Sequence, residues 1–333
     1  MLSHLFSGNL YLLKLNLIIL CCCFALKNNA QPIAELNSYK TIYALATNQT
    51  GKYIAIRSFK AENRKYILLT DPFTLTNRIE PAENYQLNNV ELNNIRVIFK
   101  TSPYIKAIES ILLNDKPIQN SGLNTPLANR KGITLTVDLC PAHKEMDRSI
   151  INNLLSYFNG ASLPIPISFS ISGKWLLKHP TDFEWLKQLQ NKKQFTITWV
   201  NHSYNHQVNH LPLTQNFMLA PGTNVQAEIL DNEKLLLKNG IVPSVFFRFP
   251  GLVSDQKLIE KVLQYGLIPL GSDAWLAKGG KAKNGSIVLI HGNGNETSGV
   301  KDFINLLQSK KNDILNKQWM LFDLSQGVVS SFK

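Results

Sequence analysis

His202 and His206 stand four residues apart in His202-Ser203-Tyr204-Asn205-His206, a spacing that suits metal binding. If the segment turns helical, both imidazoles lie on one face with Cβ atoms about 5–6 Å apart. Neutral imidazoles are good ligands for zinc and similar divalent ions. Spacing alone is not specific, because such a pair is common and His210 follows close by. Four further ionisable residues give the pair a context: Asp138, Arg248, Asp273 and His291, each at or just after the end of an apolar run.

Those runs define the elements that must position them. From about residue 129, apolar runs at 133–138, 165–171, 195–200, 245–249, 267–270, 287–291 and 320–324 alternate with helical patterns near 147–158, 182–190, 224–238, 254–265 and 299–309. Strand–helix alternation predicts parallel strands with helices outside. The expected fold is α/β, a distorted (β/α) barrel of about seven parallel strands; a doubly wound open sheet is the alternative. On either fold the carboxyl ends of the strands gather around one site. Random placement would scatter the ionisable groups over both rims.

Residues 31–128 read differently, as a small all-β accessory domain, a sandwich carrying no catalytic constellation. Thr41–Leu45 and Tyr53–Ile56 flank the hairpin-like Asn48-Gln49-Thr50-Gly51. Arg96–Phe99 and Ile111–Leu113 read as further strands, with a turn at 114–117.

The first 30 residues have the shape of a secretory signal: Leu10 to Leu26 is almost wholly apolar, and a polar stretch ends at Ala30. An uncleaved anchor is the alternative; Leu20 before Cys21 argues against a lipoprotein site. Three of the four cysteines lie in this leader, so the mature chain, with Cys140 alone, forms no internal disulfide. The expected location is a bacterial periplasm or cell envelope. The net charge of +12, two of it from Lys14 and Lys27 in the leader, favours peripheral contact with an anionic envelope. No basic stripe with interleaved aromatics points to nucleic acid.

Five motifs, in order, resemble the polysaccharide deacetylases with a NodB-homology domain. Thr136-Val137-Asp138-Leu139-Cys140-Pro141 is similar to the first, usually Thr-Phe-Asp-Asp-Gly-Pro. The histidine segment matches the second, and Arg248-Phe249-Pro250-Gly251 resembles the third. Asp273-Ala274-Trp275 and Leu289-Ile290-His291 resemble the fourth and fifth. The resemblance spans roughly 130–325 and implies a catalytic domain over 129–333. It implies that His202 and His206 hold a divalent ion, zinc with cobalt or nickel as alternatives. Asp138 is then the general base, Arg248 its ion-pair partner and His291 the general acid, oriented by Asp273. The Gly251 N–H would stabilise the oxyanion, while Trp275, Leu289 and Ile290 wall the acetyl pocket.

One position departs from the pattern. The family's second aspartate, a metal ligand, is Leu139, and the glycine after it is Cys140. Two histidines plus waters could hold the ion, Cys140 or His143 could substitute, or hydrolysis could be lost. The expected function is removal of N-acetyl groups from GlcNAc- or MurNAc-type units of peptidoglycan or another glycan. The alternatives are a catalytically impaired glycan-binding protein and a different metal-assisted amide hydrolase.

Overall fold

The computed structural model describes residues 32–332 except 34, 115–116 and 128–130. The leader expected over 1–30, the centre of the 114–117 turn and the domain boundary at 128 lie outside the described residues.

The chain begins with a five-stranded antiparallel sheet: β1 (Asn37–Asn48), β2 (Gly51–Ala61), β3 (Arg64–Thr70), β4 (Asn77–Pro81) and β5 (Gln86–Asn89), in the order β4-β3-β2-β1-β5. The β1–β2 hairpin closes where expected, with Asn48 paired to Gly51. The expected sandwich is absent among the described residues: this is one sheet, and its second layer is helical. Segments 96–99 and 111–113, expected as strands, lie in α1 (Leu92–Ile98) and α2 (Pro103–Leu113). The helix signals are local. Ser102 caps α2 through the Ile105 N–H, Pro103 occupies the first turn, and Tyr104, Ile105, Ile108 and Ile111 recur on one buried face.

The second sheet opens with β6 (Gly132–Leu139). After α3 (Ser149–Phe158) and β7 (Ile165–Ile171) come α4 (Gly173–Lys178), α5 (Pro180–Asn191) and β8 (Phe195–Asn201). Next are α6 (Val225–Lys238), β9 (Phe246–Phe247), α7 (Gln256–Gln264), β10 (Ile268–Pro269), β11 (Ala274–Trp275) and β12 (Ile287–His291). α8 (Thr297–Ser309), α9 (Lys311–Leu315), β13 (Met320–Leu321) and α10 (Leu324–Ser331) complete the chain. Seven strands run parallel in the order β10-β9-β8-β7-β6-β12-β11, and β13 pairs with the amino end of β6. They curl into a half-barrel, the distorted barrel that strand–helix alternation implies.

β6 is buried on both faces, as a parallel strand between helices and a barrel interior must be. Ile133, Leu135, Val137 and Leu139 pack outward in one core with α3, α5 and α8. Alternation then turns Thr134, Thr136 and Asp138 inward. Among the described residues no helix is long and apolar enough to cross a membrane.

The N-terminal sheet is built into the barrel rather than appended to it. Ile54, Ile56 and Leu68 share a core with Phe246, Phe247, Val262 and Ile268. Buried Arg57 pairs with Glu233 on α6 through two contacts of 2.6 and 2.7 Å and donates to the carbonyl of Tyr265. Tyr39 adds a 2.8 Å hydrogen bond to Glu233.

Candidate active site

Register brings the candidate residues to one level. His291 on β12 pairs with Asp138 on β6, and Asp138 with Ser170 on β7. Ile171 pairs with Asn201 on β8, and Asn201 with Phe247 on β9. His202 and Arg248 each follow by one residue, so Asp138, His202, Arg248 and His291 share the carboxyl rim.

The buried centre is Asp138. Arg248 Nε lies 3.9 Å from its Oδ1, and His202 Nε2 lies 3.7 Å from its Oδ2. Arg248 is aimed by its Nη2, which donates to Thr136 Oγ1 at 2.9 Å, and that hydroxyl donates to the Val288 carbonyl. Burial raises the Asp138 carboxyl, but the Arg248 guanidinium outweighs it and holds the group below its ordinary range. Asp138 is an ionised carboxylate in a dry setting, as a general base requires.

The histidine pair is held by a non-helical turn. Ser203 and His206 both have positive φ, 64° and 48°, a conformation costly for residues with a Cβ and sustained only by its surroundings. Those surroundings come from α4 and α6. The N–H groups of Gly173 and Lys174 at the start of α4 donate to the carbonyls of Ser203 and Tyr204. Glu228 accepts from the Asn205 N–H and side chain at 2.9 and 2.7 Å. Asn201 Oδ1 accepts from Ser203 N and from Asn232 on α6. Gly173 must be glycine, because a Cβ there would sit 2.4 Å from the Tyr204 ring.

This clamp brings the two imidazoles to a centroid distance of 4.7 Å. His202 Nδ1 donates to the Arg248 carbonyl at 2.9 Å, which leaves Nε2 with its lone pair directed to the site. His206 Nε2 is buried without a hydrogen-bond partner. Burial, then the neighbouring His202, pushes His206 down to about 3, and burial lowers His202 as well, so both rings are neutral. Ligand atoms of His202, His206 and Cys140 all lie within 4.8 Å of one another. Two imidazoles and a thiol are a donor set that fits zinc. The Cys140 thiol, buried and near the negative charges of Asp138 and Glu296, is raised well above its usual range and is neutral without an ion.

His291 has a different partner from the one expected. Its Nδ1 lies 2.8 Å from Glu296 Oε2, which also accepts from Trp275 Nε1 at 2.7 Å. The Trp275 and His291 rings stand 6.0 Å apart. Burial raises Glu296, but the close contact with His291 and the hydrogen bond from Trp275 prevail and hold the carboxyl below its ordinary range. Asp273 instead accepts from Ser286 Oγ at 2.7 Å and from the Ile287 N–H at 2.5 Å. It directly precedes β11, whose Ala274 pairs with Val288, and so sits at the amino end of β12. That is about 13 Å from His291, four residues at 3.3 Å each. Asp273 therefore anchors the loop entering β12 and does not orient the histidine.

The remaining expected residues fall in two groups. Gly251, with φ 60°, lies under Phe217, whose ring a Cβ would meet at 2.4 Å, and the same ring packs edge-on against His206 at 5.9 Å. Leu289 is buried in the same β12 alternation that turns His291 inward, while Ile290 packs outward with the helices. Leu139 also faces outward. His143, a candidate substitute ligand, accepts from Lys178 Nζ at 2.8 Å on an exposed surface, outside the donor cluster. Glu296 and Phe217 escaped the sequence reading. Glu296 follows the Gly292-Asn293-Gly294-Asn295 loop, a place for a carboxylate that returns to the rim. Phe217 lies in a long segment with no period to read.

Comparison with known proteins gives two kinds of likeness. Residues 37–108 match the family model described as the RP012 protein N-terminal domain. Solved structures similar to the chain are carbohydrate esterases and peptidoglycan deacetylases. A family 4 carbohydrate esterase from Streptomyces lividans is 18% identical, with a TM-score of 0.40, over 60% of this chain and 96% of that one. The peptidoglycan deacetylase PdaC from Bacillus subtilis is 18% identical, with a TM-score of 0.40, over 60% of this chain and 90% of that one. A mutant of a CE4 family pseudoenzyme is 12% identical, with a TM-score of 0.43, over 90% of this chain and 93% of that one.

Proposed function

We propose that this protein is an exported, metal-dependent hydrolase that removes N-acetyl groups from GlcNAc- or MurNAc-type units of peptidoglycan or another polysaccharide. The observation that carries the reading is the convergence on one rim of three elements. These are the buried Asp138–Arg248 pair, two neutral imidazoles and the His291–Glu296 pair. The motif resemblance supplies the substrate class, and the apolar leader supports export.

His202 and His206 would hold a divalent ion, which would lower the pKa of the attacking water and polarise the acetamide carbonyl. Asp138, kept ionised by Arg248, takes the proton of that water. The Gly251 N–H would stabilise the charge that develops on the carbonyl oxygen. His291 protonates the departing amine from Nε2, since Glu296 holds Nδ1 and stabilises the imidazolium. Trp275 and Leu289 wall the acetyl group.

The test is acetate release from peptidoglycan, chitooligosaccharides and a small acetyl ester by protein loaded with zinc or cobalt. Asp138→Asn and His291→Ala are each expected to lower the rate roughly 10²–10⁴-fold. No acetate from any of the three substrates would overturn the proposal. Leu139 favours a second reading, a glycan-binding protein with impaired catalysis. Binding to insoluble glycan that survives both substitutions, with no acetate released by wild type, would support it.

A further inference from the structure

We propose that Cys140 is the third protein ligand of the ion at His202 and His206, so that the centre is Cys-His-His with a thiolate where the resembled family has a carboxylate. The inference rests on the metal site proposed above and concerns only its composition.

Distances carry it. In a tetrahedral zinc site with Zn–S of about 2.3 Å and Zn–N of about 2.05 Å, sulfur and nitrogen stand about 3.6 Å apart. Cys140 Sγ lies 3.5 Å from His202 Nε2. The donor atoms of His202, His206 and Cys140 fall within 4.8 Å of one another, close enough to share one ion. Each donor is aimed independently: His202 by the Arg248 carbonyl, Cys140 by Asn293, whose Nδ2 donates to its carbonyl at 2.8 Å. His206 Nε2 is buried with no hydrogen-bond partner.

Elimination points the same way. Leu139 is buried in the outward core and offers no donor. His143 is engaged by Lys178. Asp138 is matched to Arg248 and serves as base. A thiolate carries the same unit charge as the missing carboxylate, so the net charge around a divalent ion is unchanged. It also moves the preference toward zinc and away from magnesium and manganese.

The experiment uses the full chain loaded with cobalt(II), followed by absorption spectroscopy and metal analysis. A thiolate-to-cobalt charge-transfer band in the near ultraviolet is expected, with one ion per chain. Cys140→Ala should lose the band and weaken cobalt binding at least about tenfold. Cys140→Asp should lose the band but retain the ion. Zinc X-ray absorption on unmodified protein, which needs no variant to fold, should show one sulfur near 2.3 Å. An ion lost on His202→Ala but bound with no charge-transfer band and no sulfur scatterer would overturn the Cys140 assignment while leaving the metal site intact. No bound ion in wild type would sink both.

Discussion

Glu296 and Asp273 are two carboxylates that the linear order makes hard to tell apart, and their neighbours separate them. Glu296 touches both His291 and Trp275, whereas Asp273 holds Ser286 and the Ile287 N–H. Opposite outcomes follow. Glu296→Gln should lower acetate release roughly 10²-fold with little change in stability, because the imidazolium loses its counter-charge. Asp273→Ala should leave two buried donors unmatched and cost about 1–3 kcal/mol in urea unfolding, with the rate per folded molecule near wild type. The reverse pattern would return the orienting role to Asp273. Glu296 was not legible because its role depends on how a glycine-rich loop folds back, and such loops carry no period.

At the scale of elements, strand alternation decides what Leu139 can become. It lies beside Val137 and Ile150 in the helix-facing core, near enough that a Cβ on Gly292 would meet its side chain at 3.1 Å. Leu139→Asp restores the letters of the family's motif but places a carboxylate in apolar packing. It should bind no more cobalt than wild type and lose at least the ~2–5 kcal/mol that truncating a buried leucine costs. Tighter metal binding without loss of stability would show that β6 can twist to present residue 139. The strands over 133–138, 165–171 and 287–291 were readable because parallel strands buried on both faces make continuous apolar runs. Segments 96–99 and 111–113 suggest strands because short apolar runs fit either period; the caps at Glu91 and Ser102 are the signals that mark them as helical.

At the scale of the whole molecule, the N-terminal sheet and the half-barrel share one core and a buried ion pair, which predicts that they unfold together. Arg57 is fully buried against Glu233, and removing one partner of such a pair typically costs 3–5 kcal/mol. All five tryptophans, Trp175, Trp185, Trp199, Trp275 and Trp319, lie in the barrel. Arg57→Met, a change in the sheet, should therefore lower the midpoint of tryptophan-detected urea unfolding by that free energy divided by the slope, while the slope stays constant. An unchanged tryptophan midpoint would mean that the sheet unfolds by itself. The match of residues 37–108 to a separate family model and the core shared across the junction are compatible, since a recurrent unit can still bury its inner face against its neighbour.

Strand period and chain direction placed Asp138, His202, Arg248 and His291 on one rim from the amino-acid sequence alone, because a parallel sheet delivers every strand's carboxyl end to the same side. The same logic misplaced Asp273, which follows β10 in the chain but stands at the amino end of β12. Only the tertiary structure could decide that, along with the approach of Cys140 to His202. Period tells which face and which end a residue occupies within its own element; which atoms meet across elements depends on register and loop closure, and these are set by packing.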